Sequence, residues 1–124
     1  MKGEVTILVV EDEFLIRWDL VLGVEDAGYR AKEASSAGEA IGVLENDPSI
    51  RVIITDIGMP GTMDGVALAH YVHERWPPTV IVISSAYLPE RLSGAPQGSM
   101  QLPKPYTRKM LHKLLGEVDL ALGA

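Results

Sequence analysis

The chain has 124 residues, no cysteine and a formal net charge of −6. A chain of this length fits one domain that buries roughly two thirds of its unfolded surface, so a core can form without disulfides. The absence of cysteine excludes thiolate metal sites and cysteine nucleophiles. The acidic charge, without a cluster of Lys or Arg, argues against direct binding of nucleic acid.

The sequence also lacks the signals that would direct it to a membrane. Its first residues form no apolar signal segment, and its apolar runs are too short to span a bilayer. We therefore expect a cytoplasmic protein that does not bind a membrane. No linker, repeat or low-complexity tract divides the sequence, so residues 1–124 are expected to form one domain without a separate output domain.

Five segments are predicted to form strands. The runs at residues 5–10, 52–55 and 80–83 are continuous and rich in Val and Ile, which is typical of strands covered on both faces. Residues 30–34 give a weaker signal because they are poor strand formers, and residues 100–102 because they are short and precede proline. The alternation of these strands with helical patterns predicts a parallel sheet with helices on both sides.

The first predicted helix covers about residues 13–27, and Gly28 is its expected stop. Helical spacing places four large apolar side chains on one of its faces, namely Phe14, Leu15, Trp18 and Leu22. Trp18, like Trp76 further along the chain, is expected to cover the interface between helices and sheet.

Three further helices are predicted, two of them from their N-caps. One begins at Ser36, with Glu39 completing a capping box. Another follows Asp64-Gly65 and stops at Pro77-Pro78, and the last runs from Thr107, which is a good N-cap. Their apolar positions at helical spacing are Ala40, Ile41 and Leu44; Val66, Leu68, Ala69 and Val72; and Met110, Leu111, Leu114, Leu115, Val118 and Leu122.

Polar groups suited to phosphate chemistry follow four of the predicted strands. Glu11 and Asp12 follow the first strand and Asp56 follows the third. Ser85 follows the fourth strand and Lys104 the fifth. Because ligands of open parallel sheets sit outside the carboxyl ends of the strands, we expect these groups to meet there. Oxygen ligands of this kind suit Mg²⁺, and a metal or an ammonium is needed to keep adjacent carboxylates ionised.

In their order and spacing, these motifs closely resemble those of the receiver domain of bacterial response regulators. The resemblance runs from Ile7 to Leu122 and rests on Glu11-Asp12, on Asp56 within Thr-Asp-Ile-Gly-Met-Pro-Gly, on Met63-Asp64-Gly65, on Ser85-Ala86 and on Lys104-Pro105-Tyr106. It implies an α/β, flavodoxin-like fold with strand order 2-1-3-4-5. It also implies two-component signalling, in which a kinase histidine passes a phosphoryl group to an aspartate in a Mg²⁺-dependent reaction.

The resemblance assigns roles to the acids. Asp56 would be the nucleophile that forms an acyl phosphate. Asp12 would bind the metal directly, together with Asp56, and Glu11 directly or through water. Gly58 would offer its carbonyl as a further ligand. Mg²⁺ is the expected ion, and Mn²⁺ is expected to substitute for it.

The resemblance also assigns roles to the lysine and the serine that follow the fifth and fourth predicted strands. Lys104 would neutralise charge on the phosphoryl oxygens, and Ser85 would hydrogen-bond one of them only after transfer, shifting a two-state equilibrium. It further implies a cis peptide bond between Lys104 and Pro105.

Two features depart from the family pattern. The residue three before the lysine is usually an aromatic side chain that changes rotamer on phosphorylation, and here it is Gln101. The segment at residues 88–98, where the family has a fourth helix, contains two prolines and two glycines. We therefore expect a short or irregular fourth helix and a mobile stretch at residues 87–99, which needs a partner to complete activation.

The predicted function is that of a phosphoacceptor response regulator, not an enzyme, that assists its own phosphorylation and dephosphorylation. Its expected partners are a sensor histidine kinase or a histidine phosphotransfer protein, and a downstream protein; the sequence does not indicate an oligomeric state.

A phosphohydrolase is an alternative, but it usually needs a second acid where this chain has Gly58. A pseudo-receiver that only binds partners is another, and the complete set of acids, hydroxyl and lysine argues against it. His70 and His73 are expected to face solvent rather than to bind a metal.

Overall fold

The structure is a computed structural model that describes residues 2–58, 63–85 and 94–123. Its strands are β1 (Thr6–Val10), β2 (Arg30–Ala34), β3 (Ile50–Asp56), β4 (Val80–Ser85) and β5 (Met100–Pro103). The α-helices within the described residues are α1 (Phe14–Asp26), α2 (Ala37–Asn46), α3 (Gly65–Arg75) and α4 (Arg108–Gly123). A 3₁₀ turn at Lys2–Glu4 precedes β1.

The five strands form one parallel sheet in the order β2-β1-β3-β4-β5. This confirms the flavodoxin-like α/β fold and the strand order that the resemblance implied. Since β1 has β2 on one side and β3 on the other, the chain reverses its direction of winding at β1. The connections after β1 and β3 therefore leave the sheet toward opposite faces, which opens a crevice at the carboxyl ends of these strands.

The core lies on both faces of the sheet, as the continuous apolar runs predicted. Alternate side chains of β1 point to opposite faces, so Ile7 and Val9 pack on the side of α1 and α4, and Leu8 and Val10 on the side of α2 and α3. All of β1 is buried. The two core clusters hold β1 and β3 at the centre of the molecule, and these strands end beside each other.

The interface position expected for Trp18 is wrong. The four residues Phe14, Leu15, Trp18 and Leu22 are exposed, and α1 instead buries Leu20, Val21, Gly23 and Val24. Apolar residues lie all around this helix, so their spacing does not single out the face that packs on the sheet. Trp18 therefore does not cover the interface, whereas Trp76 is partly buried against the core, as expected.

The N-caps predicted at Ser36 and Thr107 are confirmed, and Asp64 is the N-cap of α3. The Ser36 hydroxyl accepts a hydrogen bond from the Glu39 N–H at 3.2 Å, and the Asp64 carboxylate accepts one from the backbone of α3 at 2.9 Å. The Thr107 hydroxyl accepts the Met110 N–H at 3.1 Å. The expected buried positions of these helices are buried or partly buried, with the exception of Met110, which is exposed.

The connection between β4 and β5 contains most of the predicted irregular stretch. Residues 86–93 lie outside the described residues, so the expectation for residues 87–99 is assessed only from residue 94 onward. Residues 94–99 contain turns, and the Ser99 N–H donates to the Pro96 carbonyl at 3.1 Å. Gln101 is exposed on β5, at the position where the family usually has an aromatic residue.

Within the described parts of the chain, every helix is too short or too polar to cross a lipid bilayer.

Candidate functional site

Three carboxylates meet at the carboxyl ends of β1 and β3. Glu11 and Asp12 follow β1, and Asp56 is the last residue of β3. Each offers a carboxylate oxygen, and these three oxygens lie within 4.8 Å of one another. Exposure increases across the group, because Glu11 is buried, Asp56 is partly buried and Asp12 is exposed. A ligand can therefore approach Asp12 and Asp56 from solvent, whereas Glu11 is enclosed by the protein.

An ammonium group lies against the same carboxylates. Lys104 follows β5, and its Nζ is 2.9 Å from Glu11 Oε1 and 3.5 Å from Asp56 Oδ1. Its backbone is fixed as well, because the Lys104 N–H donates to the Ser85 carbonyl at 2.9 Å. The Lys104–Pro105 peptide bond is cis, as expected. We call Glu11, Asp12, Asp56 and Lys104 the charged edge.

Burial and ion pairing act in opposite directions at the charged edge. Burial raises the pKa of the Glu11 carboxyl above its ordinary value, although hydrogen bonds from the Glu13 N–H and the Lys104 ammonium oppose this. Burial by itself would lower the pKa of Lys104, but the hydrogen bond to Glu11 and the charge of Asp56 outweigh it, and the pKa is raised. Lys104 therefore stays positively charged at neutral pH.

The charged edge has the donors that a hard divalent cation requires. Such ions bind carboxylate and carbonyl oxygens, and Mg²⁺ usually combines one or two carboxylates with water. Three carboxylate oxygens within 4.8 Å, of which one belongs to an exposed side chain, fit this requirement. A cation and an ammonium side by side are also what neutralises a phosphoryl group during transfer.

The hydroxyl and the glycine named from the sequence lie on the same edge of the sheet. Ser85 is the buried last residue of β4, and its neighbour Ser84 is paired in register with Asp56. The Ser84 hydroxyl is buried and makes no hydrogen bond within the described residues. Gly58 is exposed two residues after Asp56, at the end of a described segment.

Gly65, to which the sequence assigns no role of its own, lets the start of α3 lie against the backbone at the end of β3. The Gly65 N–H donates to the Ile57 carbonyl at 3.0 Å. A Cβ on Gly65 would lie 2.0 Å from the Asp56 carbonyl oxygen, so only glycine allows the first turn of α3 to approach this backbone. The signal was present in the Met63-Asp64-Gly65 motif, but the close contact depends on tertiary structure.

A cleft of about 460 Å³ adjoins the charged edge. Its lining residues are Leu15, Ile16, Asp19, Lys104, Pro105 and Tyr106. Burial raises the pKa of Tyr106 to about 12, with a further contribution from the charges of Asp19, Glu11 and Asp56. The sequence places Tyr106 directly after Lys104-Pro105, and only the structure brings it beside α1.

The two histidines of α3 are not part of this arrangement. His70 and His73 are exposed, as expected, and His70 Nε2 contacts the Gly94 carbonyl. Among the described residues, the group of acids and histidines spaced to hold a metal is Glu11, Asp12 and Asp56, without either histidine.

The chain is similar in sequence to parts of two known signalling proteins. The DNA-binding transcriptional regulator NtrC of Klebsiella pneumoniae is 34% identical over 101 residues, which cover 79% of this chain and 21% of NtrC. The sensor kinase CckA of Brucella abortus is 28% identical over 122 residues, which cover 95% of this chain and 13% of CckA. The chain thus spans less than a quarter of the length of these relatives.

Solved structures have the same architecture. A response regulator receiver protein from Sinorhizobium medicae has a TM-score of 0.85 and 30% identity, covering 97% of this chain and 95% of that chain. The chemotaxis response regulator CheY4 of Vibrio cholerae also has a TM-score of 0.85, with 26% identity, and covers 94% of this chain and 99% of that chain. The sequence pattern of the response regulator receiver domain matches residues 7–115, and the chain belongs to this family of two-component signalling domains.

Proposed function

We propose that the chain takes a phosphoryl group onto Asp56 from a phosphohistidine of a sensor histidine kinase or a histidine phosphotransfer protein. The observation that carries the proposal is the geometry of the charged edge. Asp56 is partly exposed, has the Lys104 ammonium 3.5 Å from one oxygen, and lies within 4.8 Å of the oxygens of Glu11 and Asp12. A nucleophile that is open to solvent and surrounded by neutralising groups suits phosphoryl transfer.

In the proposed reaction, an Asp56 carboxylate oxygen attacks the phosphorus of the donor. The new O–P bond forms as the N–P bond to the donor imidazole breaks, and the electron pair of that bond stays with the nitrogen. Lys104 supplies positive charge to the equatorial phosphoryl oxygens as they approach Asp56. Because Lys104 is already held beside Asp56 by Glu11, this charge needs no rearrangement to act.

The donor set fits Mg²⁺, and Mn²⁺ is expected to substitute. Asp12, Asp56 and the Gly58 carbonyl would hold the ion, and Glu11 would bind it directly or through water. When bound, the ion supplies further positive charge to the phosphoryl oxygens.

In this proposal, the change of conformation that carries the signal depends on Ser85. Its hydroxyl would donate to a phosphoryl oxygen after transfer, and this contact exists only in the phosphorylated state, so it would shift the balance between two conformations. The signal would then pass to a downstream protein by contact or by onward relay. The assistance of dephosphorylation, the cytoplasmic location and the organisation of residues 1–124 as a single domain remain predictions.

Neither alternative fits the residues as well. A phosphohydrolase with Asp56 as nucleophile would need an acid to protonate the leaving group, and the position that usually supplies it is Gly58. A pseudo-receiver would not need the acids and the ammonium to be assembled at one point. We therefore favour the phosphoacceptor.

The acceptor is tested with acetyl phosphate and Mg²⁺, followed by intact-protein mass spectrometry. We expect one base-labile phosphoryl group on the wild-type protein and none on Asp56→Asn. Asp26→Asn is the matched control, because Asp26 is an exposed acid outside the charged edge, and it should be labelled like the wild type. Stoichiometric labelling of Asp56→Asn would place the acceptor elsewhere, and an unlabelled wild type would favour the pseudo-receiver.

The metal ligands are tested by isothermal titration calorimetry with Mg²⁺ and Mn²⁺. We expect Asp12→Ala to lose binding, because it removes the exposed carboxylate of the group. Asp26→Asn should bind as the wild type does. Equal affinity in the wild type and Asp12→Ala would refute the assignment of Asp12 as a ligand.

A further inference from the structure

Glu11, the buried acid of the charged edge, is held by its backbone as well as by its side chain. It lies one residue beyond β1, and its N–H donates to the Ala34 carbonyl of β2 at 3.0 Å. Its carbonyl accepts a hydrogen bond from the Arg17 guanidinium of α1 at 2.9 Å. The Glu11 carbonyl and the Asp12 N–H belong to one planar peptide unit. The guanidinium therefore fixes the plane that contains the Asp12 Cα.

Arg17 is itself fixed by a neighbouring strand. Its Nε donates to the Glu33 carboxylate of β2 at 2.9 Å, and its side chain is only 16% exposed. The guanidinium carbon also lies 5.5 Å from the centre of the Phe14 ring. Two nitrogens of one rigid plane thus bind two separate acceptors, the Glu33 carboxylate and the Glu11 carbonyl. This geometry suits the planar fork of a guanidinium better than the single ammonium of a lysine.

The charge of Arg17 by itself would oppose a cation at the charged edge. Like charges repel, so removal of the guanidinium would strengthen metal binding if charge were its only contribution. A purely structural role would lower the stability of the fold and leave the affinity of the folded protein unchanged. Orientation of a metal ligand predicts a third result, which is weaker metal binding when Arg17 is removed.

We propose that Arg17, held by Glu33, is a positioning residue that orients the Glu11–Asp12 peptide so that the Asp12 carboxylate meets Asp56. This role rests on the proposed function, in which Asp12 and Asp56 bind the cation. The carboxylate oxygens of these two residues lie within 4.8 Å of each other. Groups that orient the ligands of a metal typically contribute roughly 10- to 100-fold to its affinity.

The first test is isothermal titration calorimetry of the full chain with Mg²⁺ and with Mn²⁺. We expect Arg17→Met to bind both ions about tenfold more weakly than the wild type. Arg75→Met is the matched control, because Arg75 also pairs with a glutamate, Glu45, at 3.4 Å and lies over the Tyr71 ring. It is the last residue of α3, about 15 Å along the helix from Gly65. It should bind both ions like the wild type.

Two further variants separate geometry from charge and from loss of folding. Arg17→Lys keeps the positive charge but lacks the fork, so it should also bind Mg²⁺ more weakly, and it decides the question if Arg17→Met does not fold. Glu33→Ala should weaken binding in the wild-type background and have no further effect in Arg17→Met, because it acts through Arg17. Equal effects in both backgrounds would contradict this coupling.

Labelling by acetyl phosphate provides a second readout that a general loss of structure would not give. In Arg17→Met, the Mg²⁺ concentration for half-maximal labelling rate should rise about tenfold. The rate at saturating Mg²⁺ should stay close to that of the wild type, because Asp56 and Lys104 are unchanged.

The outcomes distinguish this role from the proposed function. Unchanged or tighter metal binding in both Arg17→Met and Arg17→Lys would overturn the role of Arg17 and leave the phosphoacceptor intact. An equal loss of affinity in Arg75→Met would show a general effect of removing an ion pair and would also overturn it. A wild-type protein that binds neither ion would overturn the proposed function and this role together.

Discussion

The charged edge and the exposed apolar face of α1 are neighbours, yet they differ in how their side chains are held. We call the four residues of this face, Phe14, Leu15, Trp18 and Leu22, the outer strip. In the charged edge, Glu11 and Lys104 are paired at 2.9 Å, and α3 approaches the Asp56 backbone so closely that a Cβ on Gly65 would not fit. In the outer strip, exposed side chains project from α1 without a core around them. The difference indicates that a substitution in the charged edge changes the stability of the fold, whereas one in the outer strip leaves it nearly unchanged.

The largest effect is expected at Gly65. We expect Gly65→Ala to lower the free energy of unfolding by about 4 kcal/mol, because its Cβ meets the backbone of Asp56, which cannot yield as a side chain can. Urea denaturation measures this. Gly42→Ala in α2 is the control, since a Cβ there meets nothing within 4 Å, and it should raise stability by about 0.5–1 kcal/mol. A Gly65→Ala protein as stable as the wild type would show that the backbone at Asp56 moves aside for the added Cβ.

A matched pair within α1 tests the other half of the comparison. Leu20→Ala should cost about 3 kcal/mol because Leu20 is buried, whereas Leu22→Ala on the outer strip should change stability by less than about 0.5 kcal/mol. Both are measured by the same urea denaturation. A large loss in Leu22→Ala would mean that the strip contributes to folding, and the contrast between the two regions would not hold.

At the charged edge, Lys104→Met should lower stability by about 2 kcal/mol, because Glu11 remains buried without its positive partner. Millimolar Mg²⁺ should recover part of this loss, since a cation can replace the missing charge and binding stabilises the folded state. Thermal unfolding with and without Mg²⁺ measures both effects. Lys109→Met, at an exposed position of α4, is the control and should behave like the wild type. No recovery with Mg²⁺ would argue against a metal at this edge.

The smallest effect on stability is expected at Tyr106, whose pKa is raised by burial and by the nearby acids. Its pKa rises from 10.0 to about 12, so above pH 10 the unfolded tyrosine loses its proton while the folded one keeps it. Stability should therefore fall as the pH rises from 10 toward 12, by up to about 1.4 kcal/mol per pH unit for this group. Tyr29, whose pKa also rises to about 12, contributes a second such slope. Urea denaturation between pH 9 and 11 should give a shallower slope for Tyr106→Phe, and an unchanged slope would refute the shift.

The strands and the positions of the charged groups were predictable from the sequence. Continuous Val and Ile runs mark strands buried on both faces, and the end of such a strand fixes where Glu11 or Asp56 lies in the sheet. The weak second strand was also placed correctly at Arg30–Ala34.

Two features depended on tertiary contacts and were not predictable. The position of Trp18 was predicted wrongly because the apolar residues of α1 lie on every side of the helix, and only the position of the sheet selects Leu20 and Val24 as buried residues. The close approach of Gly65 to Asp56 joins residues from two elements, and spacing within either element does not reveal it. In both cases, the sequence does not show which element of the fold packs against the residue.

The two outer strands of the sheet restrict how another protein can recognise this chain. On β2, the exposed residues Arg30, Lys32 and Glu33 place charges along one edge of the sheet. On the other edge, β5 has only four residues and ends at Pro103, which has no N–H to donate. Such edges resist the addition of a further strand, whether from a partner peptide or from an aggregating copy. Recognition of this domain is therefore expected to use its helices and the loops at the carboxyl ends of the strands.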